Sequence, residues 1–96
     1  MYAHVNVWRL NDEGAAWDDT AAREIGERIS REPGFRAYTC VRTGEWEVVV
    51  LTVFDSEAEL LAAVKRLRPA VQARVGPLVA DPPDRRAGTV LAHRAA

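Results

Sequence analysis

The chain has 96 residues, 48% of them hydrophobic, a length that gives a single domain over 1–96 and leaves no room for a second core. Thirteen basic against fourteen acidic residues leave a formal charge of -1, which excludes the basic footprint a phosphate backbone demands, so no nucleic-acid partner is expected. The single Cys40 has no disulfide mate, Met1 to Leu10 lack the basic and apolar regions of a signal peptide, and no apolar run approaches the ~20 residues of a bilayer span; a soluble, cytoplasmic protein with no membrane partner is expected.

Tyr2 to Leu10 alternate, with Ala3, Val5 and Val7 on one side and Tyr2, His4, Asn6 and Trp8 on the other, the pattern of a first strand. Turn residues Asn11 to Gly14 follow, and Trp17, Ala21, Ala22, Ile25 and Ile29 then recur at helical spacing, predicting a helix over roughly Ala15 to Arg31. Asp19 with Arg23, Glu24 with Arg28 and Glu27 with Arg31 stand four apart on its outer face, where each such pair adds a few tenths of a kcal/mol. Pro33 and Gly34 stop this helix.

A second strand is predicted from Phe35 to Arg42, with Phe35, Ala37, Thr39 and Val41 alternating with Arg36, Tyr38, Cys40 and Arg42. After the turn Thr43, Gly44, Glu45, the stretch Trp46 to Phe54 carries the strongest strand signal, and the two form a hairpin. Ser56 followed by Glu59 is a capping box opening a second helix with Leu60, Leu61, Val64 and Leu67 as its buried stripe. Pro69 predicts that this helix ends or kinks before a short turn around Val71 and Val75. Asp81 to Gly88, with Pro82 and Pro83, reads as a loop, and Thr89 to Arg94 as the last strand.

The order strand, helix, strand, strand, helix, strand is that of an α+β, ferredoxin-like split βαβ unit: a four-stranded antiparallel sheet with two main helices on one face. In the third strand Trp46, Val48, Val50 and Phe54 point one way and Val49, Leu51 and Val53 the other, so both faces are apolar where a half-exposed strand would alternate. Each Val or Leu left in water forfeits roughly 1.5–3 kcal/mol of burial. A homodimer through the sheet face away from the helices is expected, the alternative being cover from the termini or the 81–88 loop.

Pro33, Gly34 and Phe35 leading into the second strand, and Val50 to Ser56 leading from the third strand into a capped helix, resemble the antibiotic biosynthesis monooxygenase-like family of dimeric α+β barrels. The likeness runs over nearly the whole chain. It implies a sheet-to-sheet dimer and, in some members, oxidation of phenolic or anthrone-like polyketides by molecular oxygen with no cofactor. Asn6 looks like the first-strand asparagine of a haem-degrading branch. The tryptophan and haem-ligating histidine of that branch have no counterpart between Leu60 and Val79, which argues against haem degradation. Phe54 stands where the family often has tryptophan.

Asn6, His4 and Trp8 share a strand face, so an amide, an imidazole and an indole can line one wall of a cavity; the bland alternative makes Trp8 core and His4 a solvated strand end. On the family resemblance, Asn6 and His4 are the candidate catalytic residues, Asn6 hydrogen-bonding an oxyanion and His4 assisting proton removal, with Trp8, Phe54, Leu61 and Val64 as substrate-lining residues. His93 on the last strand is expected near His4, too small a set for a metal site. Cys40 has no base beside it and reads as a small buried residue. Trp17 and Trp46 either enclose a ligand or are core. Two functions stand: a cofactor-free monooxygenase-like enzyme for a small aromatic or polyketide-type substrate, and a non-catalytic dimeric small-molecule-binding or accessory protein of the same fold.

Overall fold

A computed structural model describes residues 1–96. Its elements run β1 (Tyr2–Arg9), α1 (Asp19–Ser30), β2 (Phe35–Gly44), β3 (Glu47–Phe54), α2 (Glu57–Val75) and β4 (Asp84–Thr89). The four strands form one antiparallel sheet in the order β2-β3-β1-β4. Both helices pack on the same face, which gives the expected ferredoxin-like split βαβ arrangement. No helix is long and apolar enough to cross a membrane.

The helices begin where polar side chains satisfy free backbone donors. Asp18 Oδ1 accepts from the Ala21 N–H at 2.9 Å, so α1 starts at Asp19 and not at Ala15. The residues Gly14–Ala16 form a separate 3-10 turn, and Arg42 holds that turn against the hairpin by donating from Nη2 to the carbonyls of Gly14 at 3.0 Å and Trp17 at 2.7 Å. At α2, Ser56 Oγ accepts from the Glu59 N–H at 3.2 Å. The Ser56 hydroxyl also hydrogen-bonds Glu59 Oε1 at 2.8 Å, so the glutamate closes on the hydroxyl and not on the serine N–H of the standard capping box.

Three further expected boundaries move. Helix α2 runs through Pro69 to Val75, because at an exposed position the carbonyl left without a donor by the proline ring can turn to water. Val71 and Val75 are therefore helical, and Val75 is fully buried. The last strand lies at Asp84–Thr89, all but Thr89 of it inside the expected 81–88 loop, and residues 90–96 carry no regular element. Trp46 sits in the hairpin turn, half exposed, and β3 starts at Glu47.

Of the three expected charge pairs on α1, Asp19 with Arg23 forms, at 3.2 Å. Glu24 pairs with Arg74 of α2 at 2.8 Å, tying helix to helix, and Glu32, in the turn after α1, pairs with Arg66 of α2 at 2.6 Å. Gly34 takes φ +81° between α1 and β2, and a Cβ there would meet the Glu59 carboxylate; a side chain would be strained in the left-handed region and would push the capping glutamate aside.

A bulge between Phe35 and Ala37 re-phases β2. Phe35 consequently shares the helix-side face with Tyr38, Cys40 and Arg42, not with Ala37. Trp8, Trp17, Ile25, Val48, Val50 and Val75 form the main core under the helices, and Phe54, Leu60 and Ala63 a second cluster. The outer face carries Val5, Leu51 and Thr39 in one cross-strand row and Val7, Val49 and Val41 in the next. Val53, expected to need cover from a second copy on this face, is buried within the subunit, whereas Leu51 and Val41 stay 39% and 46% exposed.

Candidate functional site

The sheet and helices enclose a cavity of about 90 Å³ that opens to solvent on one side. Its sheet wall is built by two strands in register. His4 and Asn6 of β1 lie beside Thr52 and Val50 of β3, Trp8 continues the β1 side, and Phe54 closes one end. Its helical wall is Ile25 and Ile29 of α1 with Leu60, Ala63, Val64, Leu67 and Val71 of α2, and Trp17 seals the far corner. Trp17 meets Trp8 edge to face, ring centroids 5.5 Å apart, an arrangement that fixes both rings.

Within this apolar lining Asn6 stands out. Its Oδ1 is buried and has no hydrogen-bond partner. On its row the neighbours are Val50 and Arg85, and neither satisfies it. An orphaned buried acceptor costs about 1–3 kcal/mol. Native proteins keep few of them, and a carboxamide oxygen placed in a cavity is an acceptor that a ligand hydroxyl can satisfy, while the Nδ2 amide of the same side chain is the group that can donate to an oxyanion. Trp17 Nε1 is also buried without a partner, but it lies toward the Cys40 sulfur. Burial pushes the Cys40 thiol up, against smaller opposing effects of Tyr38, Trp17 and Arg42, and a neutral thiol is a weak acceptor. Cys40 is thus poorly suited to act as a nucleophile.

His4 is half-buried, and its imidazole is held below the ordinary value, first by burial and then by the positive charges of Arg85 and Arg68. At neutral pH it is therefore an uncharged base facing the cavity. Because protonation is disfavoured in the folded protein, the unfolded chain binds the extra proton as pH falls below about 6.5. Stability is full above that pH and declines as pH falls from it through the lowered folded-state value. Thermal melts of wild type and His4→Gln between pH 7.5 and 5.5 should show a smaller loss in the variant; equal losses would contradict this assignment.

Of the candidate substrate-lining residues, Trp8, Phe54 and Val64 border the cavity, as do His4 and Asn6. Leu61 does not. It is 58% exposed, because adjacent residues on a helix point about 100° apart and Leu60 takes the inward position. His93 lies beyond the end of β4, whose register sets Ala87 opposite His4, so the histidine pair is not formed by strand pairing. Trp46, half exposed in its turn, is not among the cavity residues, whereas Trp17 is. Arg68 and Gln72 of α2 and Arg85 of β4 also border the opening. Arg85 was hidden by the expectation of a loop; pairing 84–89 with β1 would have set it beside Asn6.

No family model matches the sequence, and no curated protein matches it. Solved structures do. A protein of unknown function from Nitrosomonas europaea superposes with a TM-score of 0.84 at 19% identity over 99% of this chain and 93% of its own. A proposed antibiotic biosynthesis monooxygenase from Caulobacter crescentus gives 0.79 at 21% over 95% and 90%. SnoaB, a cofactor-independent oxygenase from Streptomyces nogalater, gives 0.74 at 15% over 96% and 94%. The chain thus has the fold of the antibiotic biosynthesis monooxygenase structures.

Proposed function

We propose that this protein is a cofactor-independent monooxygenase-like enzyme acting on a small aromatic or polyketide-type substrate in the cavity between sheet and helices. The carrying observation is Asn6: a buried carboxamide oxygen with no protein partner, on the wall of an apolar cavity, two positions along the same strand face from a neutral imidazole. The likeness to SnoaB supports the reaction type at the level of shared fold.

In this reading a phenol or ring-activated methylene enters with its acidic hydrogen toward His4. The imidazole accepts that proton, and Asn6 accepts from the substrate hydroxyl or donates to the oxyanion that forms. The electron-rich substrate anion then reduces dioxygen. One oxygen atom enters the carbon framework and the other leaves as water, so a methylene and O₂ become a carbonyl and H₂O. The substrate supplies all the electrons. Burial of the site keeps bulk water from competing for the anion.

The subunit also pairs, in this proposal, with a second copy through the outer sheet face, where Leu51 and Val41 remain open. The rival reading, a non-catalytic binding or accessory dimer, accounts equally for the cavity but gives no role to the neutral His4 beside Asn6. Oxygen uptake by purified protein over a panel of hydroquinones and anthrones, corrected for spontaneous autoxidation, separates the two. Protein-dependent uptake is expected, and none across the panel would move the reading to the binding module.

A further inference from the structure

The cavity is charged at its opening in one sense only. Among the residues that border it are Arg68, Arg85 and His4, and no aspartate or glutamate. Five arginines elsewhere, Arg23, Arg36, Arg66, Arg74 and Arg86, form ion pairs with carboxylates. Arg68 and Arg85, like Arg9, Arg28, Arg31, Arg42 and Arg94, form none, and of these unpaired arginines they are the two that border the cavity. They come from different elements, the sixty-eighth residue on the cavity side of α2 and the eighty-fifth on β4 directly across from Asn6.

The enclosed volume matters as well. At about 90 Å³ it is smaller than a cavity of ~150 Å³ that takes benzene. A ring can enter in part, and the remainder of any aromatic ligand must lie in the opening, on the side bordered by Arg68 and Arg85. We propose that the ligand of this cavity is a small aromatic carboxylic acid, its ring against Trp8 and Phe54, a ring hydroxyl reaching Asn6, and its carboxylate held at the opening by Arg68 and Arg85. Guanidinium groups suit this because their planar fork matches a carboxylate and they keep their charge at all relevant pH. The two positive charges already act on His4, so both lie within electrostatic reach of the cavity, and the carboxylate would relieve the repulsion that they impose there.

The inference rests on the cavity of the proposed function being a ligand site, and its test is independent of turnover. Binding of 4-hydroxybenzoate and of its uncharged amide, 4-hydroxybenzamide, is followed by quenching of tryptophan fluorescence, since Trp8 and Trp17 both border the cavity. The acid is expected to bind at least tenfold more tightly than the amide, with the difference shrinking as salt is raised. Arg68→Gln and Arg85→Gln should each reduce that preference and together remove it, with the affinity for the acid falling much further than that for the amide. Equal affinity for acid and amide, absence of binding by either, or a preference that survives in the double variant would overturn the assignment. If the double variant does not fold, the acid and amide comparison on the wild-type protein decides alone. Selective acid binding by a protein that consumes no oxygen would leave this inference standing and the oxygenase reading refuted; oxygen consumption without acid selectivity would do the reverse.

Discussion

Asn6→Leu is expected to raise the melting temperature while removing turnover. The two side chains have similar size, and leucine has no polar atom to strand in the apolar lining where Asn6 Oδ1 now has no partner. Replacing an unsatisfied buried polar group by an apolar one of the same shape recovers part of its 1–3 kcal/mol penalty. About 1 kcal/mol corresponds to roughly 4–8 °C in a domain of this size. The same change removes the hydrogen bond to the developing oxyanion, a loss worth about 10²- to 10³-fold in turnover where such donors have been deleted. A residue kept at the expense of stability is what a binding or reacting site produces. Calorimetry and oxygen uptake on the same preparation check both halves. A variant that melts lower and keeps its turnover would make Asn6 a structural residue.

Leu51→Arg is expected to convert the proposed dimer into a monomer. Leu51 sits mid-strand on the outer face between Val5 and Thr39, one row from Val7, Val49 and Val41. Strands about 4.8 Å apart and some eight residues long present roughly 500 Å² per face. Two faces then bury on the order of 1,000 Å², at the lower edge of specific interfaces. An unpaired guanidinium at the centre of such a contact costs several kcal/mol on each side of the twofold axis. Sedimentation at micromolar concentration should show the wild type as a dimer and the variant as a monomer. A wild-type monomer, or a variant that still pairs, would place the interface elsewhere or remove it. The cavity lies on the opposite face, so the variant's ring-binding residues are not disturbed directly.

Much of the scaffold was legible because local chemistry and tertiary role agree. The alternation in Tyr2 to Trp8, the Pro33-Gly34 stop and the Ser56 cap each describe a local event that the fold leaves in place. The last strand was not legible for a clear reason. All six residues of β4 are exposed, so no burial pattern marks Asp84 to Thr89, and the strand exists because β1 offers an open edge at that position. Helix α1 begins late because Asp18, not the acids of the preceding turn, reaches the free N–H groups.

The same division holds at the cavity. The shared face of His4, Asn6 and Trp8 followed from a period of two along a single strand. The choice between Leu60 and Leu61 did not, since two adjacent leucines satisfy a helical stripe almost equally and only packing against Phe54 decides. Arg68 and Arg85 both border the cavity through the docking of α2 and the pairing of β4, neither of which leaves a trace in local spacing. Asn6 was visible by its position; that its oxygen lacks a partner depends on what surrounds it in three dimensions.

The most direct test of the oxygenase assignment is turnover under ¹⁸O₂ with protein first dialysed against a strong chelator, followed by mass spectrometry of the product. The account predicts one labelled oxygen atom per product molecule, formed at undiminished rate after chelation and lost in Asn6→Leu. Product without label, or label incorporation that persists at the wild-type rate in Asn6→Leu, would contradict it.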